Sequence, residues 1–215
     1  FLSSRHNHRQ MKSFFQKLLA LFFKSEPKPE PVRKVAICVG HSRINDSGAK
    51  SVGGVSEWEF NHAVAIFLNE KLKERGIASE VINEYPFKTY GKSMDWVRER
   101  TWGFDVALEL HFNSYTSTSA KGFEYLYYHG SKSGEKLAKA FADQHEQAIP
   151  AQNNRGAKMV RVGERGYKFL VKTEPTAIIC EPFFGSNPGE WVLFDGNQEV
   201  IADVYADALK NYFAA

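Results

Sequence analysis

The stretch Lys34-Val35-Ala36-Ile37-Cys38-Val39-Gly40-His41 decides the fold class of this chain. It is a compact run rich in β-branched residues that ends at a glycine, which is typical of a buried strand in a parallel sheet. A helix is predicted to begin after Ser56, because Ser56 and Glu59 have the spacing of a capping box, and to end just before Gly76. The chain therefore starts with a strand followed by a helix.

The same alternation continues towards the C-terminus. Further strands are predicted at 78–82, 106–110, 122–128, 169–171 and 177–180, and further helices at 93–101, 134–147 and 201–212. Strands that alternate with helices predict an α/β fold, a three-layer sandwich in which helices flank a twisted, mostly parallel sheet. A chain of 215 residues is long enough for one such domain with a substantial core.

The residues before the first strand do not share the alternating strand and helix pattern of the rest of the chain. Residues 1–10 are polar and are predicted to be an upstream or vector-derived remnant. Residues 11–24 repeat Phe and Leu every four positions among lysines, which predicts an amphipathic helix that lies on a membrane surface, docks on the domain or pairs with a second copy. Residues 25–33 alternate proline with charge, as an extended linker does. The catalytic domain is predicted to span 34–215.

Composition excludes several classes of protein. A formal net charge of +3 is too small to indicate a nucleic-acid partner, although it suits an anionic polymer such as the cell wall. Cys38 and Cys180 both lie in apolar runs, so we interpret them as buried small hydrophobic residues and not as a disulfide. No apolar run reaches the roughly 18–20 residues that a membrane span requires.

Ionisable side chains follow three of the predicted strands. His41, His111 and Glu181 each stand just beyond or at the end of a strand, and Glu57 begins the first helix. Since ligands of open α/β sheets collect at the carboxyl ends of the strands, these groups are expected at one rim. Two histidines and a carboxylate can hold one zinc ion with a position open for water, and a further carboxylate can accept a proton from that water.

Simpler interpretations compete at this point. A single histidine is more often a hydrogen-bonded core or surface residue than a metal ligand, and Glu57 is also explained as a first-turn carboxylate favoured by the helix dipole. Glu109 is two residues before His111 and so shares its strand face, which makes it an alternative carboxylate. Spacing alone leaves the metal site open.

A set of short elements adds a family resemblance. In chain order they are Gly40-His41, Glu57 with Asn61, Glu109-Leu110-His111-Phe112-Asn113, Gly122-Phe123-Glu124, Asn154-Arg155-Gly156-Ala157-Lys158 and Glu181-Pro182-Phe183-Phe184-Gly185-Ser186-Asn187. Together they resemble the zinc-dependent N-acetylmuramoyl-L-alanine amidases of the Amidase_3 family, and the similarity runs from Val35 to the C-terminus.

The resemblance implies specific roles. It implies that His41, Glu57 and His111 are Zn²⁺ ligands and that Glu181 is the catalytic carboxylate. The implied reaction is hydrolysis of the amide between the lactyl group of N-acetylmuramic acid and L-alanine. Peptidoglycan is then the partner, and the site of action is the bacterial cell wall, in the periplasm or outside the cell.

The roles of three further residues are less sharply implied. Arg155 is a candidate to bind a substrate carboxylate, with a structural ion pair as the equal alternative. Asn113 is expected to orient the site or contact substrate. Glu109 stands where the family usually has serine, and we interpret it as a partner of a metal ligand. The family's Gly-Gly after the first histidine is here Ser42-Arg43, so the shape of that loop is not predicted.

The resemblance also bears on regulation. Some cellular members carry an inserted helix that blocks the zinc until an activator displaces it, whereas residues 122–155 have room for one ordinary helix. We therefore expect an open enzyme resembling a phage or prophage lysin. Two alternatives stay open: a zinc peptidase that cuts stem peptides, and a non-catalytic wall- or membrane-binding protein with the same fold.

Overall fold

The computed structural model describes residues 32–215 of the chain. Predictions for residues 1–10, 11–24 and most of the 25–33 linker lie outside the described residues and stay predictions. No helix among the described residues is long and apolar enough to cross a membrane.

Strands and helices alternate along most of the described chain. The strands are β1 (Lys34–Val39), β2 (Ala78–Ile82), β3 (Val106–Leu110), β4 (Phe123–Tyr128), β5 (Asn154–Val160) and β6 (Thr176–Glu181). The helices are α1 (Glu57–Glu74), α2 (Tyr90–Arg100), α3 (Lys132–Ala148), α4 (Tyr167–Lys172), α5 (Pro188–Phe194) and α6 (Gln198–Ala214).

The strands form one mixed sheet in the order β2-β1-β3-β6-β4-β5. β2, β1, β3 and β6 run parallel to one another, whereas β4 runs antiparallel to β6, and β5 is parallel to β4. The mostly parallel sheet of the predicted α/β fold is confirmed. The shared direction of β1, β3 and β6 brings their carboxyl ends to one rim.

Alternating side chains divide the core into two layers. Val35, Ile37 and Val39 pack with α1, α3, α5 and α6 on one face of the sheet. Ala36 and Cys38 pack with α2 and α4 on the other face. This is the period of two expected of a strand buried on both faces, and it explains why β1 reads as a continuous apolar run. The two cysteines are free and buried, as predicted.

One predicted strand is wrong. Residues 169–171 belong to helix α4, which follows Gly166 in the left-handed region at φ 84°. The hydroxyl of Thr173 donates to the carbonyl of Phe169 at 2.7 Å and closes the last turn. Three apolar residues are too few for periodicity to separate a buried helical turn from a strand, which is why the pattern misled.

Two elements were not predicted, and two helices begin earlier than predicted. β5 is an edge strand whose side chains are mostly exposed, so it lacks an apolar signal. α5 is a short helix with proline in its first turn, capped by Asn187, whose side-chain oxygen accepts from the amides of Gly189 and Glu190. α2 begins at Tyr90 and α6 at Gln198, each three residues before its predicted start.

A buried polar network joins α3 to the segment after β6. His145, which is fully buried, contacts the Tyr125 hydroxyl at 2.6 Å through Nδ1 and Gln152 Oε1 at 2.8 Å through Nε2. The Gln152 amide donates onward to the carbonyl of Pro182 at 2.8 Å and to Glu190 at 3.1 Å. The neutral imidazole with hydrogen on Nε2 satisfies both contacts. Burial lowers the pKa of His145 to about 4.

We expect the free energy of unfolding to fall as the pH is lowered from about 6.5 towards 4. In the unfolded chain His145 binds a proton near its ordinary pKa of 6.5, whereas in the folded chain it binds one only near pH 4. The contribution of His145 to the free energy of unfolding is therefore fully present above pH 6.5. About 3 kcal/mol of it is lost by pH 4, because each unit of difference between the folded and unfolded pKa corresponds to about 1.4 kcal/mol.

Urea titrations of the chelator-treated protein and of His145→Gln, from pH 4 to 7.5, test this expectation. The variant shares every other titrating group, so its stability should depend less steeply on pH between 4 and 6.5. Parallel curves for the two proteins would contradict it.

Candidate active site

The ends of β1 and β3 are held directly against each other. The Gly40 amide donates to the Leu110 carbonyl at 2.9 Å, and His41 follows with a positive φ of 69°. A Cβ atom at Gly40 would lie 2.3 Å from His111 Cε1, so only glycine allows the two histidines to approach this closely. The His111 amide donates in turn to the Cys180 carbonyl of β6 at 3.0 Å.

Glu57 reaches this rim from the first turn of α1. Ser56 caps the helix by accepting from the Glu59 amide at 3.2 Å, as predicted. The Glu57 amide donates to the Ala49 carbonyl at 2.8 Å, and the Ala49 amide donates back to Glu57 Oε2 at 3.1 Å. The Glu57 side chain is only 1% exposed, and the loop before the helix holds it in place.

The Glu57 carboxylate lies between the two imidazoles. Its Oε1 is 2.7 Å from His111 Nδ1, and its Oε2 is 3.2 Å from His41 Nε2. The rings meet edge to face with centroids 5.0 Å apart. One ligand atom from each of the three residues lies within 4.8 Å of the others, an arrangement that can hold a metal ion.

Each imidazole also faces a second carboxylate on its outer side. Asp46 Oδ2 lies 3.1 Å from His41 Nδ1, and Glu109 Oε2 lies 3.5 Å from His111 Nε2. If the outer nitrogen donates its hydrogen to this carboxylate, the inner nitrogen turns a lone pair towards Glu57. Carboxylates in this position orient metal-binding histidines in proteins.

The charges of the site favour a cation. Burial opposes ionisation of Glu57, but its hydrogen bonds with His111 and His41 outweigh burial and keep its pKa below the usual range. Burial lowers the pKa of His111, and the neighbouring Glu109 and Glu57 raise it well above its ordinary value. His41 Nε2 is buried and, apart from its 3.2 Å ion-pair contact with Glu57 Oε2, has no polar partner among residues 32–215, so it is available as a ligand.

Glu181 ends β6 with its carboxyl group in the same site. It is 8% exposed, and its Oε2 has no hydrogen-bond partner among residues 32–215. Burial raises the pKa of Glu181 to about 8. The nearby His111 opposes this shift, whereas the charge of Glu57 adds to it. A cation at the His41–Glu57–His111 site would lower this pKa and favour the ionised form that can accept a proton.

A cavity of about 330 Å³ opens beside these groups. Its lining includes His41, His111, Glu181, Asn113, Glu124, Glu109, Tyr85, Tyr90 and Arg165. The sheet register explains part of this set, because Glu124 pairs with Glu181 across β4 and β6, and Glu109 pairs with Ile179 across β3 and β6. Glu109, Glu124 and Glu181 thus project from one face of the sheet.

Arg155 and Asn113 meet at Glu124. Asn113 Nδ2 donates to Glu124 Oε1 at 2.9 Å, and Arg155 Nε donates to Glu124 Oε2 at 2.7 Å. The Arg155 guanidinium also lies 5.1 Å from the centre of the Phe184 ring. The ion pair that sequence reasoning weighed for Arg155 is therefore present, and Arg155 reaches the site through Glu124.

Sequence reasoning missed Asp46, Tyr85 and Arg165. Asp46 comes from the loop after His41, where the Ser42 and Asp46 amides each donate to the other residue's carbonyl, at 2.7 and 3.2 Å. Tyr85 and Arg165 come from the loops before α2 and α4. A histidine followed five residues later by aspartate was the only available signal, and it is a weak one.

The family comparison agrees with the geometry. The sequence profile of the family Amidase_3, described as N-acetylmuramoyl-L-alanine amidase, matches residues 35–211. A search of curated proteins found no significant match.

Solved structures with the same fold include several amidases. The catalytic domain of the CD27L endolysin, described as targeting Clostridia difficile, is 30% identical, with a TM-score of 0.71 over 83% of this chain and 97% of that one. The CwlD amidase of Clostridioides difficile, solved with the GerS lipoprotein, is 20% identical, with a TM-score of 0.75 over 85% and 98%. AmiC2 of Nostoc punctiforme is 22% identical, with a TM-score of 0.72 over 85% and 98%. The two matches below 25% identity bear on the fold alone.

We expect Asp46→Ala to weaken Zn²⁺ binding by about 10- to 100-fold, because His41 Nδ1 loses the acceptor that orients the ring. Competition titration against a chromophoric chelator measures the affinity. Asp143→Ala is the control, since Asp143 is exposed on α3, which packs on the opposite face of the sheet from the cavity. Equal affinities for Asp46→Ala and the control would contradict an orienting role.

Proposed function

The chain belongs to the N-acetylmuramoyl-L-alanine amidase family, Amidase_3, and we propose from this premise which of its residues cut the amide bond of peptidoglycan. His41, Glu57 and His111 would hold Zn²⁺, and Glu181 would be the catalytic carboxylate. One observation carries the proposal: three metal-ligating side chains have ligand atoms within 4.8 Å of one another, and Glu181 lines the cavity beside His41 and His111.

The donor set suits zinc. Two imidazole nitrogens and one carboxylate are a common set of protein ligands for catalytic zinc, and they leave a position for water. When bound, zinc lowers the pKa of a coordinated water to about 7 and polarises a carbonyl. The excess of carboxylates over imidazoles around the site supports a divalent cation, because Asp46 and Glu109 add negative charge outside the ligands.

Glu181 would move the proton. An amide is a poor electrophile and neutral water a poor nucleophile, so the attacking water must lose a proton as it adds to the carbonyl. Glu181 takes that proton and then returns it to the departing amine of L-alanine, which leaves a lactyl carboxylate on the glycan. Burial and the amide pairing of the segment after β6 with Asn113, at 2.8 Å in both directions, keep the carboxyl group in place.

Glu109 would position His111. Its Oε2 lies at ion-pair distance from His111 Nε2, and this contact turns His111 Nδ1 towards Glu57. The role proposed here is that of an outer partner and not of a fourth ligand, since Glu109 lies behind the imidazole as seen from Glu57.

Substrate binding would involve the Glu124 cluster. Asn113 and Arg155 both contact Glu124, so Asn113 would orient the wall of the cavity and Arg155 would contribute charge at its edge. Arg165 lines the cavity itself and is the better-placed guanidinium for a carboxylate of the stem peptide.

The described part of the chain supports an unblocked site. Between β4 and β5 it contains α3, which packs on the sheet face opposite the cavity. The enzyme would act on cell-wall peptidoglycan without an activator, as a lysin does. The export route, and contacts of the 11–24 segment with a membrane or a second copy, are further proposals for residues outside the described range.

We expect Glu181→Gln to lower kcat by about 10²- to 10⁴-fold while one equivalent of zinc is retained, because an amide cannot accept the proton. Turbidity loss of purified peptidoglycan and elemental analysis measure the two quantities. Glu174→Gln, at an exposed position before β6, should keep the parent activity. Unchanged lysis by Glu181→Gln would refute the assigned mechanism.

Chelation should abolish activity, and added Zn²⁺ should restore it. Mass spectrometry of the digest identifies the bond: intact stem peptides with free L-alanine amines, together with glycans that carry free lactyl groups, indicate the amidase. Shortened stem peptides that are still attached to the glycan would indicate a peptidase. Lysis that persists in full after metal removal would contradict the zinc assignment.

A further inference from the structure

The inner part of the cavity contains two buried polar atoms without a hydrogen-bond partner. They are Glu109 Oε1 and the Tyr85 hydroxyl, and neither bonds to any residue in the range 32–215. Glu109 is 1% exposed and Tyr85 is 4% exposed, yet both line the cavity. A buried polar group without a partner is destabilising, so a pair of them beside an active site is consistent with a ligand that satisfies both.

The two atoms have complementary hydrogen-bonding characters. A carboxylate oxygen accepts, and a phenol hydroxyl donates. Burial, and secondarily the charge of Glu109, raise the pKa of Tyr85 well above its ordinary value, so its hydroxyl keeps its hydrogen. The Tyr85 ring packs against Trp96 with centroids 6.3 Å apart, which fixes the hydroxyl without bonding to it.

Apolar side chains complete this inner pocket. Leu126 and Ile179 line it from the sheet. Gly166 also lines the cavity, and a Cβ atom at Gly166 would lie 2.5 Å from Ile179 Cδ1. The pocket thus offers one acceptor, one donor and an apolar wall within a space that continues to His41, His111 and Glu181.

We propose that the pocket formed by Glu109, Tyr85, Leu126 and Ile179 binds the acetamido group of the N-acetylmuramyl residue and makes it a specificity determinant of the reaction. The inference rests on the proposed function. An acetamido group presents one N–H for Glu109 Oε1, one carbonyl for the Tyr85 hydroxyl and one methyl group for Leu126 and Ile179.

The substrate places this group within reach. In N-acetylmuramic acid the acetamido nitrogen is on the sugar carbon next to the one that carries the lactyl ether. When the lactyl carbonyl lies beside Glu181 and the histidines, the acetamido group is therefore only a few bonds away. The first peptide bond of the stem is also a secondary amide with a small alkyl neighbour, and it lies on the other side of the reacting carbonyl. Because it has the same chemistry as the acetamido group, it needs its own test.

The experiment uses the zinc-loaded protein and two synthetic muramyl peptides, the natural one and a neutral analogue with a hydroxyl in place of the acetamido group. We expect kcat/KM for the natural substrate to exceed that for the analogue at least about tenfold, and Tyr85→Phe to reduce this ratio about tenfold. Tyr127→Phe, on the opposite face of the sheet, should keep the parent ratio.

Tyr85→Phe is a suitable probe because its hydroxyl bonds to no described residue, so the fold loses no contact; thermal unfolding checks this. The inference is overturned if the wild-type protein cuts the natural substrate and the analogue with nearly equal kcat/KM. It is also overturned if Tyr85→Phe prefers the natural substrate as strongly as the wild-type protein does.

A third substrate, with an ester in place of the first peptide amide of the stem, tests whether the pocket binds that amide instead. If Tyr85→Phe changes only the preference for the natural substrate over the ester substrate, the pocket binds the stem peptide and the acetamido assignment is overturned. If neither muramyl peptide is cut between lactyl group and L-alanine, the proposed function fails instead.

Discussion

The contact on which the site depends is that of the Glu57 carboxylate with two imidazoles. It joins the first turn of α1 to the ends of β1 and β3, with oxygen–nitrogen distances of 2.7 and 3.2 Å. Because the carboxylate is buried, it needs positive partners, and the histidines need it equally. The loop between His41 and α1 is shaped around this contact, since the Ala49 amide and carbonyl both bond to Glu57. A metal ion bound there would replace a proton shared in this cluster.

Parallel strands explain why so much of the site could be predicted from the sequence. His41, His111 and Glu181 stand at the ends of strands with strong apolar patterns, and their common rim follows from strand direction. Strand parity likewise predicts that Glu109 shares a face with His111. Asp46, Tyr85 and Arg165 could not be found in this way, because they lie in loops whose course depends on tertiary packing and has no period in sequence.

The errors in the fold have the same origin. β5 is an edge strand with exposed polar side chains, so nothing in residues 154–160 alternates clearly. The run at 169–171 is apolar but too short to show a period, and the left-handed Gly166 before it starts a helix. Neither error moves a candidate site residue, because His41 and His111 follow β1 and β3, and Glu57 and Glu181 are on α1 and β6, all strongly patterned elements.

The position of Glu181 next to Cys180 has an evolutionary consequence. These neighbours face opposite sides of the sheet, the carboxyl group towards the cavity and the thiol towards the core. An insertion or deletion of one residue within β6 would exchange them, burying a carboxylate in the apolar layer and presenting a thiol to the substrate. A length change of one residue inside β6 is therefore not tolerated. Descendants of this chain can reshape substrate choice around the rim while the spacing from Thr176 to Glu181 stays constant.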